Sequence, residues 1–240
     1  IKSIVTKKRK KWELAILGML RSFNWEEFLD TYVQTVGELK IKFRGVRKQY
    51  LKKGAYSPIE FVTGRVKRRD SILKKARKRG YTRDTISEME DIAGVRVMVQ
   101  FVEDIWEVLE LLRKRSDFKI IEERDYINNQ KVSGYRSYHV VIQYPIDTID
   151  GFRVINAEIQ IRTLAMNFWA TIEHSLNYKY GGVIPSAVKE RLTNAAREAA
   201  SLDAEMSLIR GEIQEAQLLF DGLQARADLK KEHGEDNELW

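Results

Sequence analysis

The sequence predicts an α/β (α+β) fold: a mixed sheet of about five strands flanked by helices, followed by a long helical tail. Two observations carry this. Segments with apolar residues three and four apart alternate with short runs that are β-branched or that alternate apolar and polar residues. The C-terminal segment then holds one unbroken helical period.

Residues 1–23 show no clear periodicity and are expected as an extension outside the folded unit. Asn24, with Glu27 three residues on, is a capping-box pattern that opens a helix. Phe28, Tyr32, Val36, Leu39, Phe43, Val46 and Tyr50 form its apolar stripe. Lys40, Arg44 and Arg47 share another face, and no acid occurs between Lys40 and Lys53. That face is either solvated cations or an anion site. Ser57-Pro58-Ile59-Glu60 resembles a helix start, yet Gly64 and the β-branched Val62, Thr63 and Val66 favour a strand over 61–67. Short helices are expected over 70–79 and 84–92, then a strand over 95–101 and a helix over 105–114. Strands follow over 118–124, 135–144 and 154–162, the last two joined by a turn near Asp150-Gly151, and a helix over 164–180. From Val188 through Leu192, Ala195, Ala199, Leu202, Met206, Ile209, Ile213, Ala216 and Phe220 to Leu223, steps of three and four suggest helix pairing within or between subunits. The organisation is thus an extension (1–23), a folded domain (24–184), and a helical oligomerisation segment ending in an acidic tail (185–240).

The absence of cysteine excludes disulfide scaffolds, thiol catalysis and iron–sulfur clusters, and three scattered histidines cannot build a His-rich metal site. No run of 18 apolar residues suits a membrane span. Basic residues before the apolar 14–20 imitate a signal peptide, but Glu13 and the short apolar run oppose it, so a cytoplasmic protein is expected. Residues 203–240 carry ten acids against four bases. The total of +7 therefore leaves +13 on the first 202 residues, a charge that suits phosphate ligands.

Sorting the strands by parity gives an apolar face and a polar one. The polar face carries Phe61, Thr63, Arg65 and Lys67, then Arg96, Met98 and Gln100, then Tyr135, Ser137 and His139, then Asn156, Glu158, Gln160 and Arg162. Arg65, Lys67 and the basic helix with Lys74, Lys75 and Lys78 offer cations to phosphate oxygens. Arg65 and Arg96 are able to bracket a base, and Tyr135 offers a second stacking platform. Asp91 and Glu158 are the acids best placed to hold Mg²⁺, which prefers oxygen ligands and substrate phosphates. Neither a P-loop nor a G-x-G-x-x-G pattern occurs. Residue types alone thus reach Mg-dependent phosphoryl or nucleotidyl transfer. Plain structural roles stand beside these: Asp91 capping a helix or pairing near Arg96, Glu158 pairing with Arg162, and His139 as a satisfied strand histidine.

Five motifs in order settle more: Gly64-Arg65-Val66-Lys67, Asp91-Ile92-Ala93-Gly94-Val95-Arg96, Gly134-Tyr135-Arg136-Ser137-Tyr138-His139, Glu158-Ile159-Gln160-Ile161-Arg162-Thr163 and Trp169-Ala170-Thr171-Ile172-Glu173-His174. This set resembles the synthetase domain of the RelA/SpoT family, and the short chain with a helical tail resembles its small alarmone synthetases of the RelQ type. The resemblance implies transfer of the β,γ-pyrophosphate of ATP to the ribose 3′-OH of GDP or GTP, giving ppGpp or pppGpp and AMP. It places Arg65 and Arg96 on the adenine, and Lys67, Ser71, Lys75 and Lys78 on the ATP phosphates. Asp91 and Glu158 would hold Mg²⁺, with Glu158 also activating the 3′-OH. Tyr135 would stack the guanine, with Lys131, His139 and Asn167 along the acceptor nucleotide. The H-D hydrolase motif of long family members is absent from this sequence, implying a synthetase-only enzyme. RelQ-type relatives further imply a homotetramer, an allosteric (p)ppGpp cleft at Lys40, Arg44, Arg47, Phe61 and Thr63, and single-stranded RNA binding. The sequence departs from the family in residues 1–23 and at Arg68-Arg69-Asp70, where a proline is common; neither touches a motif. The competing expectation is an RNA-binding regulator that senses guanine nucleotides, which would gain nothing from acids inside a basic groove.

Overall fold

Asn24 opens the first helix as its spacing to Glu27 predicts: its side-chain oxygen accepts the Glu27 amide at 3.4 Å, with Glu26 and Glu27 at the positive end of the helix dipole. The computed structural model describes residues 23–179 and 185–235, so the expected N-terminal extension lies, except for Phe23, outside the described residues. Phe23 packs edge-on against Trp25 and Phe28. Helix α1 (Trp25–Lys52) buries Tyr32, Val36, Leu39 and Phe43, the middle of the predicted stripe.

Five strands form one mixed sheet, as expected: β1 (Phe61–Val66), β2 (Ala93–Val99), β3 (Lys119–Asp125), β4 (Tyr138–Thr148) and β5 (Gly151–Thr163), in the order β1-β2-β5-β4-β3. β2 and β5 pair in parallel at the centre; the other pairs are antiparallel. The predicted apolar parity is buried at Val62, Val95, Val97, Val99, Val140, Ile142, Ala157, Ile159 and Ile161, and partly buried at Gly64, Val66 and Phe101. Helix α1 and helix α3 (Val102–Arg113) share its core. A Cβ on Gly64 would sit 2.7 Å from Val36 Cγ1, so glycine is what lets α1 close onto the edge strand. Helix α2 (Arg69–Arg79) links β1 to β2, helix α4 (Leu164–Lys179) leaves directly from β5, and helix α5 (Ser186–Glu235) is a single 50-residue helix.

Three expectations change. The helix over 84–92 is only a 3₁₀ turn, Ile86–Glu88. Thr85 Oγ1 accepts the Thr82 amide, a side-chain bond that competes with helix, and Ile86, Met89 and Ile92 all reach the core from turn and extended backbone. Asp91 therefore sits in the turn entering β2, not at a helix end. Second, β4 begins at Tyr138 rather than 135, because Gly134 (φ +84°) closes a turn with its amide on Lys131 O. The hairpin instead extends outward to Thr148 and Gly151: β3 stops pairing at Gln143, so Pro145 costs no bond to a third strand. Third, the polar face is not open along its length. Met98 (1% exposed), Ser137, His139 and Arg162 are buried where α4 covers that end of the sheet.

Helix α5 holds the predicted seam on a face that this chain leaves open: Leu202, Met206, Ile209, Ile213, Phe220 and Leu223 are all exposed. Among the described residues of α5 the buried positions are Ala196 and Asp203, a small and polar stripe. Among the described residues no helix is long and apolar enough to cross a membrane.

Candidate active site

Strand register places the predicted cations and acids side by side. Arg65 lies opposite Gly94 and Thr63 opposite Arg96, so Arg65 and Arg96 are diagonal neighbours on one face. Gly94 in turn lies opposite Glu158, and Arg96 opposite Gln160. Thr63, Gly64, Arg65, Lys67, Asp91, Gly94, Val95, Arg96, Glu158 and Gln160 line a single open cavity of about 380 Å³. Burial and the neighbouring charges of Arg162 and Arg65 depress the Arg96 guanidinium below its ordinary value, the signature of a site crowded with cations.

Asp91 neither caps a helix nor pairs with Arg96. Its two oxygens accept from Lys75 Nζ and Lys67 Nζ, each at 2.8 Å. Burial pushes this carboxyl up, but the two ammonium groups outweigh it and hold it below the usual aspartate value. Ser71 and Lys78 stand exposed on the same face of α2 as Lys75 and are not among the residues that line the cavity.

Glu158 does not pair with Arg162. Its Oε1 accepts from His139 Nδ1 at 2.9 Å and its Oε2 from Gln160 Nε2 at 2.6 Å. With the His139 proton on Nδ1, Nε2 accepts from the Tyr135 hydroxyl at 2.8 Å, and that hydroxyl accepts from Arg162 Nη2 at 2.7 Å. The donors thus run in one direction, from Arg162 through Tyr135 and His139 to Glu158. Burial again pushes the carboxyl up, and the His139 and Gln160 contacts bring it below the ordinary glutamate value. An acid held this low stays ionised at neutral pH.

Tyr135 is half-buried in a loop rather than an exposed strand platform, because the Gly134 turn lays it against the sheet. Lys131 Nζ lies 4.9 Å and Arg162 Cζ 5.2 Å from its ring centroid. Asn167 keeps its Oδ1 buried without a hydrogen-bond partner. Of the five residues expected at an allosteric cleft, Thr63 lines the main cavity and Phe61 is exposed beside it. Arg44 and Arg47 instead donate to the Val62 and Ile59 carbonyls, and Lys40 lies by Gly64 on the α1 side of β1. Within one chain the five do not converge.

Sequence reasoning passed over Gln160, which accepts from Arg162 Nη2 and Arg96 Nε while donating to Glu158. Its place between Glu158 and Arg162 on the polar parity was the available signal. It also passed over Tyr126, whose ring meets Tyr135 and His139 edge-on beneath Lys131.

Asp91 and Glu158 suit Mg²⁺: both supply oxygen to one cavity wall. Among the described residues no group of three or more His, Cys, Asp or Glu gathers, so the fit is to an ion that takes its remaining oxygens from substrate phosphates.

The family model for a region found in RelA / SpoT proteins matches residues 64–183, half of the chain. This chain belongs to that family. It is 58% identical over 196 residues to GTP pyrophosphokinase YjbM of Bacillus subtilis, across 82% of this chain and 93% of that one. The structure of a GTP pyrophosphokinase family protein from Streptococcus pneumoniae superposes with a TM-score of 0.78 and 63% identity, covering 82% of this chain and 98% of that chain. The small alarmone synthetase 1 from Bacillus subtilis bound to its product pppGpp gives a TM-score of 0.77 at 57% identity, covering 79% and 98%. The RelA/SpoT region holds every residue of the Asp91 and Glu158 networks, whereas α5 lies outside it.

Proposed function

We infer that this protein is a GTP pyrophosphokinase that transfers the β,γ-pyrophosphoryl group of ATP to the ribose 3′-OH of GDP or GTP, producing ppGpp or pppGpp and AMP. One observation carries the reading: a single cavity joins the Arg65/Arg96 pair, the Lys67–Asp91–Lys75 cluster and a fixed Glu158 carboxylate in a RelA/SpoT-family chain. Diagonal neighbours on paired strands stand about 7 Å apart, room for one aromatic ring between two guanidinium planes. That is where the adenine of ATP stacks. Its phosphates run toward Lys67, Lys75 and the exposed Ser71 and Lys78.

The acceptor approaches from the other side, over Tyr135, with the guanine taking the place of the Lys131 ammonium on the ring. Asn167 Oδ1 accepts a base N–H. The 3′-OH then meets Glu158, whose two oxygens are already aimed by His139 and Gln160. The new bond joins the 3′-oxygen to the β-phosphorus as the bond from that phosphorus to the α-phosphate bridging oxygen breaks; AMP leaves, and the hydroxyl proton passes to Glu158. A Mg²⁺ ion held by Asp91 and Glu158 would neutralise charge on the transferring group. Because the His139 and Gln160 contacts hold Glu158 ionised, it stands ready as a carboxylate to orient the hydroxyl.

A cytoplasmic homotetramer is proposed from the resemblance to RelQ-type relatives, and the exposed apolar seam of α5 supports self-association. A (p)ppGpp cleft between subunits would have to be completed by a second copy, since one chain does not bring its five residues together. Single-stranded RNA binding is supported only by the basic surplus, and the two acids in the cavity favour the enzyme.

The test is to incubate the purified protein with Mg²⁺, ATP and GDP or GTP and separate products by anion exchange. AMP and a guanosine tetra- or pentaphosphate in equal amounts are expected. Absence of AMP with both acceptors would overturn the reading.

A further inference from the structure

The loop that carries Lys131 and Tyr135 rests on a helix that contributes nothing to the cavity wall. Gly134 lies so close to α5 that a Cβ on it would sit 2.4 Å from Ala196 Cβ. Two residues on, Arg136 Nη1 donates to Asp203 Oδ2 at 3.1 Å, and Thr163 Oγ1, at the end of β5, donates to the same oxygen at 3.0 Å. Asp203 is 6% exposed, while its neighbour Leu202 is 52% exposed. Trp169 Nε1 donates to Leu192 O at 2.8 Å and fixes α5 on α4. The space between loop and helix is about 10 Å³, room for one water and no ligand.

Keeping a carboxylate here is costly. Burial pushes the Asp203 carboxyl above its ordinary value even though Thr163 and Arg136 pull it down. Arg136 depends on it as well: its Nε is buried with no hydrogen-bond partner, and Asp203 is its ion-pair partner.

We propose that Asp203 is a positioning residue for the acceptor nucleotide: by holding Arg136 to α5 and β5 it sets where the Lys131–Tyr135 segment stands over the sheet. The proposal rests on the pyrophosphokinase reading and extends the acceptor site to α5, outside the matched RelA/SpoT region. Tyr135 is linked to this clasp through Gly134 and Arg136 along the chain, and to Glu158 through His139. Displacing the loop therefore disturbs guanine stacking first. The hydrogen bonds of Asp203 go to Arg136 and Thr163, outside the donor half of the cavity built on β1, α2 and β2.

A second clasp on the same helix provides the control. Arg210 Nη1 donates to the fully buried Asp104 at 2.8 Å, Tyr56 donates to the same carboxylate, and neither touches the loop. If Asp203 merely anchored α5, Asp203→Ala and Arg210→Met would behave alike. The experiment measures KM for ATP and for GDP, kcat and Tm in both variants, with GDP binding by calorimetry in the absence of ATP. Asp203→Ala is expected to raise the KM and Kd for GDP about tenfold while leaving the KM for ATP within about twofold. Asp203→Asn, which keeps an acceptor oxygen, restores most of that loss. Arg210→Met lowers Tm with both KM values unchanged. Equal effects on ATP and GDP, or an unchanged GDP constant in Asp203→Ala, would overturn the proposal. Should Asp203→Ala fail to fold, Ala196→Val presses on Gly134 directly and is held to the same acceptor-selective outcome. A wild-type protein without turnover would sink the pyrophosphokinase reading alone, because the calorimetric comparison still decides the role of Asp203.

Discussion

The donor and acceptor halves of the cavity are built differently. On the donor side, Arg65, Lys67, Lys75, Asp91 and Arg96 come from one short stretch of chain and are held by charge, with Asp91 shared between two lysines. On the acceptor side, Lys131, Tyr135, His139, Glu158, Arg162 and Asp203 come from a loop, two strands and a distant helix, and are held by directed hydrogen bonds. Coulomb attraction tolerates small displacements, whereas a relay of three hydrogen bonds through four side chains does not. The half that binds phosphates is assembled locally; the half that aims an attacking hydroxyl depends on packing across the whole domain.

The widest separation between the halves should appear at Glu158. Glu158→Gln is expected to cut kcat by about 10³-fold or more with little change in either KM, because it removes the group that receives the hydroxyl proton. A variant keeping a tenth of the wild-type rate would break the comparison at its centre. Tyr135 sharpens it, since one side chain does two jobs. Tyr135→Ala should raise the KM for GDP roughly 10–100-fold through lost stacking. Tyr135→Phe keeps the ring and should lower kcat about tenfold, with the KM for GDP nearly unchanged; a rise in that KM alone would mean the relay plays no part. Arg65→Ala is the donor-side counterpart, with about a tenfold rise in the KM for ATP and none for GDP. Steady-state kinetics with each substrate varied in turn reads all of these.

The smallest effect concerns stability. The folded Asp91 carboxyl lies below the ordinary 3.8, so its contribution is fully present above that value and is lost as pH falls through the lower folded one. Asp91→Asn should therefore cost about 1 kcal/mol at neutral pH in the substrate-free protein, a modest share because the cluster is partly solvated. The gap in Tm from wild type should close on acidification below pH 3.8. A gap that persists there would mean the ion pairs are not its source.

Much of the donor half was legible because it needs only local rules. Parity on β1 and β2 put Arg65, Lys67 and Arg96 on one face, the basic helix offered Lys75 and Lys78, and Ser71 came from the family resemblance. Asp91 was found, but its surroundings were misassigned: the apolar period of Ile86, Met89 and Ile92 imitates a helix and is satisfied by a turn. On the acceptor side Tyr135 and Glu158 were visible as residue types. That Gln160 also takes Arg96 from the neighbouring strand, or that Tyr126 walls the loop, depends on side chains meeting between segments distant in sequence, which no spacing announces.

Helix α5 shows the limit most clearly. Its apolar period was unmistakable, and the period alone establishes a long helix with one greasy seam. Docking then used the adjacent stripe, Ala196 and Asp203, and left Leu202, Met206 and Ile209 exposed. The sequence by itself determined the order of the elements, the apolar and polar faces of the strands and the chemistry of the donor residues, because these follow from periods of 2 and 3.6 within single segments. The tertiary structure decided that β2 and β5 lie side by side, that Glu158 faces the Asp91 cluster, and that a buried aspartate on α5 supports the acceptor loop. Those outcomes come from which surfaces close against each other at small separation, and a periodic pattern says which residues share a face but not which face finds a partner.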